Sequence, residues 1–446
     1  MLGQIEVEEL IKRVLQFSEA PETAVFVHIQ NDYLTRFANN GIHQNANESN
    51  LNVYVQAVDG KRVGRANTGD ISDDGLRQVT KQALTYARMS PEIPDFPGLP
   101  DPQSTTPVIA MDEETIEFTP KQRAEAIGTI CKMAAEKELK AFGVYSTSVS
   151  EYGVGSSKGV MLYHPATYAN VHTVINGPEG SSWAQRSSWK VEDIDTNVIG
   201  KEAVEKAVLA QKPRRVEAEK FTIVLDPYAT SDIVRWLAFS GANGEAVHEG
   251  RSWMNDRIGE QIMSPLVNIE DDGLNSAGMP LPFDFEGMPR QQVKIVENGV
   301  IRDPVYDRLS AARANTESTG HALPPMAFFS GAAPIHLVMK AGKSSLDEMI
   351  ASTERGLYIT RVWYTRLVHP RECVVTGMTR DGVYLIENGK ISYPVKNLRF
   401  TQSYIEAMAN VQEVGKETRL LAGFGMFGAN VPAIKIKDFN FTGVTA

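Results

Sequence analysis

The chain reads FGVYSTSVSEYGVGSSKGVMLYHPATYANVHTVINGPEGSSWAQRSSWK from residue 142 to residue 190, and this stretch decides its fold class. Short β-prone runs are separated here by turn-forming residues at Gly153, 156–159, His164-Pro165 and 177–180. Runs of mixed polarity between such turns are typical of a half-exposed antiparallel meander. The sequence therefore predicts a β-sheet built from neighbouring strands in the middle of the chain.

The residues before this stretch predict a small α+β unit. Apolar residues at helical spacing over 3–19 predict a helix, and strands are expected over 23–30 and 33–45. Alternation from Leu51 to Ala57 runs into Asp59-Gly60, a dipeptide typical of tight hairpins. Ser72 and the acidic residues after it predict the start of a second helix that ends near residue 89.

Between this unit and residue 215 the pattern changes. The proline-rich segment 90–107 predicts a linker. Thr119-Pro120 predicts a capped helix start, and a charged helix is expected over 199–211, after the meander. Beyond residue 216 short strands alternate with turns such as Asn298-Gly299 and Asn388-Gly389, which favours a sandwich or barrel.

Together these patterns predict an α+β fold with three parts. N-terminal helix and antiparallel-sheet domains are expected over residues 1–95 and 96–215. A β-rich, barrel- or sandwich-like C-terminal domain is expected over residues 216–446. A chain of 446 residues is too long for one ordinary hydrophobic core, which agrees with several domains.

Composition excludes several classes of protein. With 55 acidic and 45 basic residues the net charge is -10, and no block of Lys or Arg offers a nucleic-acid surface. The start, MLGQIEVEEL, lacks the pattern of a signal peptide, and no apolar run approaches the roughly 20 residues needed to span a bilayer. Two cysteines are too few for a disulfide framework. We therefore expect a cytoplasmic protein that binds neither membrane nor nucleic acid.

A series of motifs in the second half resembles the TldD/PmbA family. In order, they are IGEQIMSPLVNIEDDG (258–273), DFEGMPRQQVKIVENGVI (284–301), STGHALP (318–324), GKSSLDEMIASTERGLYIT (342–360), YLIENGKISYPVKNLRF (384–400) and VQEVG (411–415). The segment RFANNGIHQN (36–45) is similar to the family's N-terminal motif. The resemblance implies a dimeric, cytoplasmic peptidase assembly that acts on unfolded or extended peptides. Catalytic members hold zinc through a helical HExxxH motif and a cysteine near the C-terminus.

This chain departs from the family's zinc pattern. Its one His-Glu pair, His248-Glu249, is followed by Ser252 and Trp253 where a second histidine would complete HExxH or HExxxH. The segment expected to hold the metal helix reads WLAFSGANGEAV (236–247), and the segment expected to hold the cysteine reads LLAGFGMFGAN (420–430). We therefore predict no metal and no cofactor in this chain, with zinc in a catalytic partner. The chain resembles the PmbA/TldE-like type, which pairs with a TldD-like zinc-bearing subunit.

The candidate site is a peptide groove rather than a reaction centre, and no catalytic residue is assigned. Small residues and glycine-flanked aromatics can line such a groove; the candidates are Ser240, Gly241, Asn243, Gly244, Phe424, Met426 and Phe427. Ordinary loop and core packing is the competing interpretation of these residues. Two other functions stay open: a stand-alone peptide-binding homodimer, and a hydrolase with a rebuilt site at His248, Glu249 or Cys373.

Other polar residues receive structural interpretations. We expect His164 and His172 to face solvent on the meander, and 270–273 (EDDG) to be an acidic turn that closes a strand. Cys131 is predicted to pack in a helix core, and Cys373 to be a buried or half-buried thiol.

Overall fold

The computed structural model describes residues 1–325, 331–423 and 427–444. The N-terminal half is built on one antiparallel sheet of six strands, in the order β3-β2-β1-β4-β5-β6. The strands are β1 (Glu22–Ala38), β2 (Gly41–Asp59), β3 (Arg62–Thr68), β4 (Lys140–Ser156), β5 (Met161–Asn176) and β6 (Ser181–Ser188). The predicted boundary at residue 95 therefore lies between two sets of strands that share one sheet.

Helices cover one face of this sheet. They are α1 (Gln4–Phe17), α2 (Asp73–Met89), α3 (Glu113–Ile116), α4 (Pro120–Ala135) and α5 (Thr196–Leu209). Odd-numbered residues of β1 and β4, such as Val27 and Tyr145, join the cores under α1, α2, α4 and α5. Even-numbered residues point to the opposite face because side chains alternate along a strand. That second face is free to meet the C-terminal half.

The strands differ from the predicted ones at three points. Asn39 and Asn40 form the turn after β1 with φ angles of 51° and 62°, the left-handed pair that a tight hairpin needs, so the strand predicted over 33–45 is divided between β1 and β2. Gly153 lies inside β4, where any side chain would collide with Val7 of α1. Pro165 lies in the part of β5 that pairs only with β4, so its missing N–H costs no ladder hydrogen bond on the free side.

In the described residues, the C-terminal half is a mixed sheet of 11 strands with helices packed on it. The strands are β7 (Lys220–Leu225), β8 (Ile269–Asp271), β9 (Val293–Glu297), β10 (Val300–Ile301), β11 (His336–Met339), β12 (Arg355–His369), β13 (Val374–Glu387), β14 (Lys390–Pro394), β15 (Leu398–Ser403), β16 (Val411–Gly423) and β17 (Phe427–Val444). The helices are α6 (Pro227–Gly241), α7 (Gly244–His248), α8 (Arg308–Ala314), α9 (Leu346–Ala351) and α10 (Tyr404–Ala409). This sheet and the N-terminal antiparallel sheet confirm the predicted α+β class.

Strand β17 holds this half together. It pairs with β7, β11, β15 and β16, and its residues Ile434 and Ile436 lie in the largest core beside Leu225 and Ile223. Within the described part of the chain, no helix is long and apolar enough to cross a bilayer.

Candidate functional site

A cleft of about 600 Å³ opens between the free face of the N-terminal sheet and the C-terminal half. Its walls come from β1, β4, β5 and β6 on one side and from α6, β12 and β16 on the other. Among the residues that line it are Asp32, Asn170, His172, Trp183, Gln185, Asp232, Arg235, Arg361 and Trp363. This volume and the mixture of aromatic, amide and charged groups are within the range of ligand sites.

Helix α6 is fixed at its N-terminus by a buried ionic network. Asp226 caps the helix by accepting from the Tyr228 N–H, and Pro227 occupies the first turn. The Asp226 carboxylate also accepts from Lys206 Nζ at 2.9 Å and from the Tyr358 hydroxyl at 2.8 Å. Lys206 belongs to α5, so this network ties the N-terminal half to the start of α6.

Asp232 and Arg235 are the charged side chains that α6 presents to the cleft. The Asp232 carboxylate accepts hydrogen bonds from Thr365 Oγ1 at 2.8 Å and from the Tyr404 hydroxyl at 2.9 Å. Burial raises the pKa of Asp232 to about 6, even though these two bonds favour its ionised form. Arg235 donates to the Leu421 carbonyl, and burial lowers its pKa without neutralising it. The pair therefore places a carboxylate with a raised pKa near a guanidinium that can donate to a carbonyl.

A second group in the cleft consists of stacked planar side chains, which we call the Trp–Arg stack: His172, Trp183, Arg361 and Trp363. The His172 and Trp183 rings are stacked with centroids 4.8 Å apart and planes 16° apart. The Arg361 guanidinium lies 3.8 Å from the Trp183 ring centre and 4.6 Å from that of Trp363. An ion pair with Asp381 at 2.8 Å holds Arg361 in place. The stack therefore runs from the N-terminal sheet to the C-terminal sheet.

The candidate groove residues next to α6 have packing roles. Ser240 is buried, and its hydroxyl donates to Cys373 Sγ at 3.4 Å. Gly241 leaves room for the Trp253 ring, and Gly244 leaves room for the Tyr306 ring. Asn243 caps α7 by accepting from the Ala246 N–H. None of these four residues lines the cleft, so their role in peptide docking stays a prediction.

The other three groove candidates fall partly outside the described residues. Phe424 and Met426 lie outside them, and Phe427 begins β17. The Phe427 ring is tilted against Phe239 of α6, with centroids 6.3 Å apart. One candidate aromatic thus packs beside the helix that lines the cleft.

The residues named for a rebuilt hydrolase are not brought together. His248 and Glu249 are exposed at the end of α7, and Glu249 pairs with Arg251. Cys373 has no exposed surface, and burial raises the pKa of its thiol to about 12, the opposite of what a nucleophile needs. The structure gives these three residues no shared site.

Family models match three consecutive parts of the chain. The models for the PmbA/TldA metallopeptidase domain 1, central domain and C-terminal domain match residues 23–87, 103–211 and 218–443, respectively. This chain belongs to the TldD/PmbA family.

Relatives named TldD and relatives named PmbA both match this chain. A metalloprotease TldD homolog of Buchnera aphidicola is 24% identical over 96% of this chain and 92% of its own length. The metalloprotease PmbA of Escherichia coli O157:H7 is 22% identical over 86% of this chain and 84% of its own length. The crystal structure of TldE from Thermococcus kodakarensis superposes with a TM-score of 0.89 at 22% identity, over 98% of this chain and 99% of that one. This last likeness establishes the fold.

The zinc that the TldD/PmbA resemblance implies does not fit the residues of this chain. Such a site needs about three nitrogen, sulfur or carboxylate ligands around one point. Helix α6, which the motif order places near the family's metal helix, carries no histidine. In residues 1–325, 331–423 and 427–444, no three His, Cys, Asp or Glu side chains are grouped to hold a metal. We therefore assign no step that uses a metal to the described residues.

Sequence reasoning missed most of the cleft. Trp183, Asp232, Arg235, Arg361 and Trp363 come from elements far apart in the chain, and only His172 had been singled out. The available signals were two tryptophans, Trp183 and Trp363, and the run Val234-Arg235-Trp236, which leads into the segment expected to hold the metal helix. Neither indicates which strand faces which without the fold.

A buried polar cluster next to the cleft was also missed. The EDDG segment does close β8, but Asp271 is fully buried, with Oδ1 accepting from His321 Nε2 at 2.9 Å. The Arg290 guanidinium lies 3.6 Å from Asp271, and the backbone N–H of His336 donates to the same carboxylate. Burial acts to raise the pKa of Asp271, but the two histidines and Arg290 outweigh it and hold the pKa below its usual range.

The prediction that His164 faces solvent is wrong. It is 4% exposed, because its side of β5 packs against the segment that includes Pro280, whose carbonyl lies 3.1 Å from His164 Nε2. His172 is half-buried in the Trp–Arg stack. Burial lowers the pKa of both histidines to about 4, so they are neutral at physiological pH.

Proposed function

We propose that this chain is the zinc-free partner subunit of a cytoplasmic TldD/PmbA peptidase dimer, and that it forms one wall of the channel for an extended peptide. Family membership supports a peptidase assembly. The sequence supports the partner role, because it contains neither HExxxH nor a cysteine after residue 373.

The observation that carries the proposal is the surface of α6. The segment expected to hold the family's metal helix, 236–247, begins in the second half of α6, and the side chains that α6 turns to the cleft, just before it, are Tyr228, Ser231, Asp232 and Arg235. Two are charged and two bear hydroxyl groups, a set suited to hydrogen-bonding a peptide backbone. None supplies the imidazole nitrogens that the family's catalytic helix uses.

The role that follows is positioning. Arg235 can donate to a peptide carbonyl, and the amides of Asn170 and Gln185 lie on the opposite wall. The ionic network at Asp226 keeps α6 rigid, so these groups are placed in advance and less entropy is lost on binding. Bond cleavage would take place on the zinc-bearing partner.

Elemental analysis of purified protein tests this proposal. The chain is expressed alone and together with an HExxxH-bearing TldD/PmbA member from the same genome. We expect no zinc in the lone chain, about one zinc in the complex, and cleavage of unfolded peptides by the complex only. Stoichiometric zinc or peptidase activity in the lone chain would overturn the partner role.

A matched pair of substitutions sharpens the test. Arg235→Gln in the complex should slow peptide cleavage while leaving the zinc content unchanged. His248→Gln, on the exposed end of α7, should leave both unchanged. If H248Q abolished cleavage, the rebuilt-hydrolase function would replace the proposed one. A stable homodimer that binds peptides, and that no zinc-bearing member joins, would favour the stand-alone binding function.

A further inference from the structure

The Trp–Arg stack is the part of the cleft that a simple peptide wall does not require. His172, Trp183, Arg361 and Trp363 come from β5, β6 and β12 and lie in one continuous series of ring and guanidinium contacts. Strands that only supported a backbone would not need such an arrangement of planar groups. Its position on the cleft lining places it beside any bound chain.

One end of the stack is open. Trp363 is 44% exposed, while Trp183, Arg361 and His172 are half-buried behind it. A large indole surface in contact with water is costly, and it is most useful where a partner covers it. The exposed ring therefore provides a flat apolar platform inside the concave site.

Charged groups of both signs surround the platform. Arg361 and Arg380 share Asp381 as their carboxylate partner, at 2.8 and 3.7 Å, and their guanidinium groups lie 4.6 and 5.4 Å from the Trp363 ring centre. The carboxylates Asp32 and Asp232 line the same cleft. A neutral aromatic ring on an uncharged stretch of peptide needs no counter-charge there, and a nucleotide, which Arg235 and Arg380 could also attract, is the competing ligand that the test below distinguishes.

We propose that the cleft selects extended peptides by an aromatic side chain, Phe, Tyr or Trp, whose ring packs on the exposed part of the Trp363 ring. This inference rests on the proposed function only in taking a peptide as the ligand. It does not depend on the zinc-bearing partner. Offset stacking of two rings adds to the area that they bury, which makes an aromatic residue bind better than an aliphatic one of similar size.

Calorimetric titration with two peptides tests the selection. The peptides are identical and unstructured except for one central Phe in the first and Leu in the second. The lone chain should bind the Phe peptide roughly three- to tenfold more tightly, the range expected for one ring pair. Trp363→Ala should remove this preference, so that both peptides bind with the affinity of the Leu peptide.

Two further variants guard against a folding artefact. Trp363→Phe keeps an aromatic platform and should retain most of the preference. Tyr86→Ala removes a comparably exposed aromatic, 45% exposed on α2, and should leave the preference unchanged. Equal affinity of the wild-type chain for both peptides, or a preference that survives W363A, would overturn the proposal.

The result of this binding test can be distinguished from the result of the zinc test of the partner role. Aromatic selectivity in the lone chain with no zinc acquired in any complex would keep this inference and reject the partner subunit. Zinc-dependent cleavage by the complex with equal affinity and equal rates for both peptides would do the reverse. An oligonucleotide of mixed sequence serves as a probe for base stacking, and tighter binding of it than of the Phe peptide would also overturn the inference.

Discussion

His164 illustrates how burial changes a side chain that its local sequence places at a strand surface. It follows Tyr163 and precedes Pro165, a context that predicts a turn, yet it lies inside the molecule against the Pro280 carbonyl. Because burial lowers the pKa of His164 from 6.5 to about 4, the folded state excludes a proton that the unfolded chain accepts. Folding and protonation are therefore coupled at this residue.

We predict that His164→Gln flattens the dependence of stability on pH. The contribution of His164 is fully present above pH 6.5 and is lost as the pH falls towards 4, by about 3 kcal/mol over that window. Urea unfolding at pH 7.5, 6 and 4.5 measures the effect. The control is the exposed His248→Gln, which should follow the wild type. Identical pH profiles for H164Q and the wild type would contradict the prediction.

Single residues were the hardest level to predict from sequence. Cys373 was expected to be a buried or half-buried thiol, and the structure buries it fully beside Ser240. The local sequence does not indicate the contact between Asp271 and Arg290, because Asp271 ends β8 and Arg290 lies 19 residues later, in the segment before β9. Contacts of this kind depend on which strands become neighbours, and no local pattern records that.

Elements were predicted better, because their signals are local. Thr119 does cap α4, and with Gln122 it forms a reciprocal pair of hydrogen bonds. The hairpin at Asp59-Gly60 is confirmed, with β2 ending at Asp59 and β3 beginning at Arg62. The predicted break between residues 30 and 33 was wrong, because pairing with both β2 and β4 keeps β1 extended through it.

The packing of α2 on β3 gives a prediction at this scale. Gly64 of β3 faces α2 so closely that a methyl group would collide with the Ala87 N and the Ala83 O. Gly64→Ala should cost about 1–3 kcal/mol of stability. The matched control is Gly128→Ala, on the exposed side of α4 with open space around it, which should stabilise by up to about 1 kcal/mol. Thermal unfolding of both variants checks the signs, and a destabilised G128A would contradict the account of α4.

The whole molecule depends on the network that joins its two halves. Lys206 of α5 contacts Glu202 and Asp226 at 2.9 Å each, and Arg419 of β16 contacts Glu202 at 3.1 Å. Burial acts to lower the pKa of Lys206, but Asp226 and its other neighbours raise it well above its usual range. Buried charges that satisfy one another across two domains make the domains unfold together.

We predict that Lys206→Met separates the two halves in unfolding. It leaves Asp226 and Glu202 short of a cation, and breaking a buried pair in this way costs about 3–5 kcal/mol. Scanning calorimetry should show one transition for the wild type and two for the variant. Lys201→Met, on the exposed side of the same helix, is the control and should keep a single transition. A single, unshifted transition in K206M would show that the network does not couple the halves.

At the scale of the whole molecule, the sequence predicted the fold class but not how the N-terminal sheet packs against the C-terminal half. Strand and turn patterns predicted an antiparallel sheet followed by a β-rich half. The cleft exists because the even-numbered face of β4 and β5 lies opposite α6. That relation joins residues about 60 to 90 positions apart, and sequence periodicity reports which residues share a face but not what the face meets.

The place of β17 has a consequence for how the protein is made. This strand comes last among the described elements, yet β7, β11, β15 and β16 all hydrogen-bond to it. During translation the N-terminal sheet can close while the ribosome is still adding residues. The edges of β7, β11, β15 and β16 that pair with β17 stay unpaired until β17 emerges. A nascent chain stalled before residue 427 would expose those edges, and we expect it to be the species that chaperones hold and proteases remove.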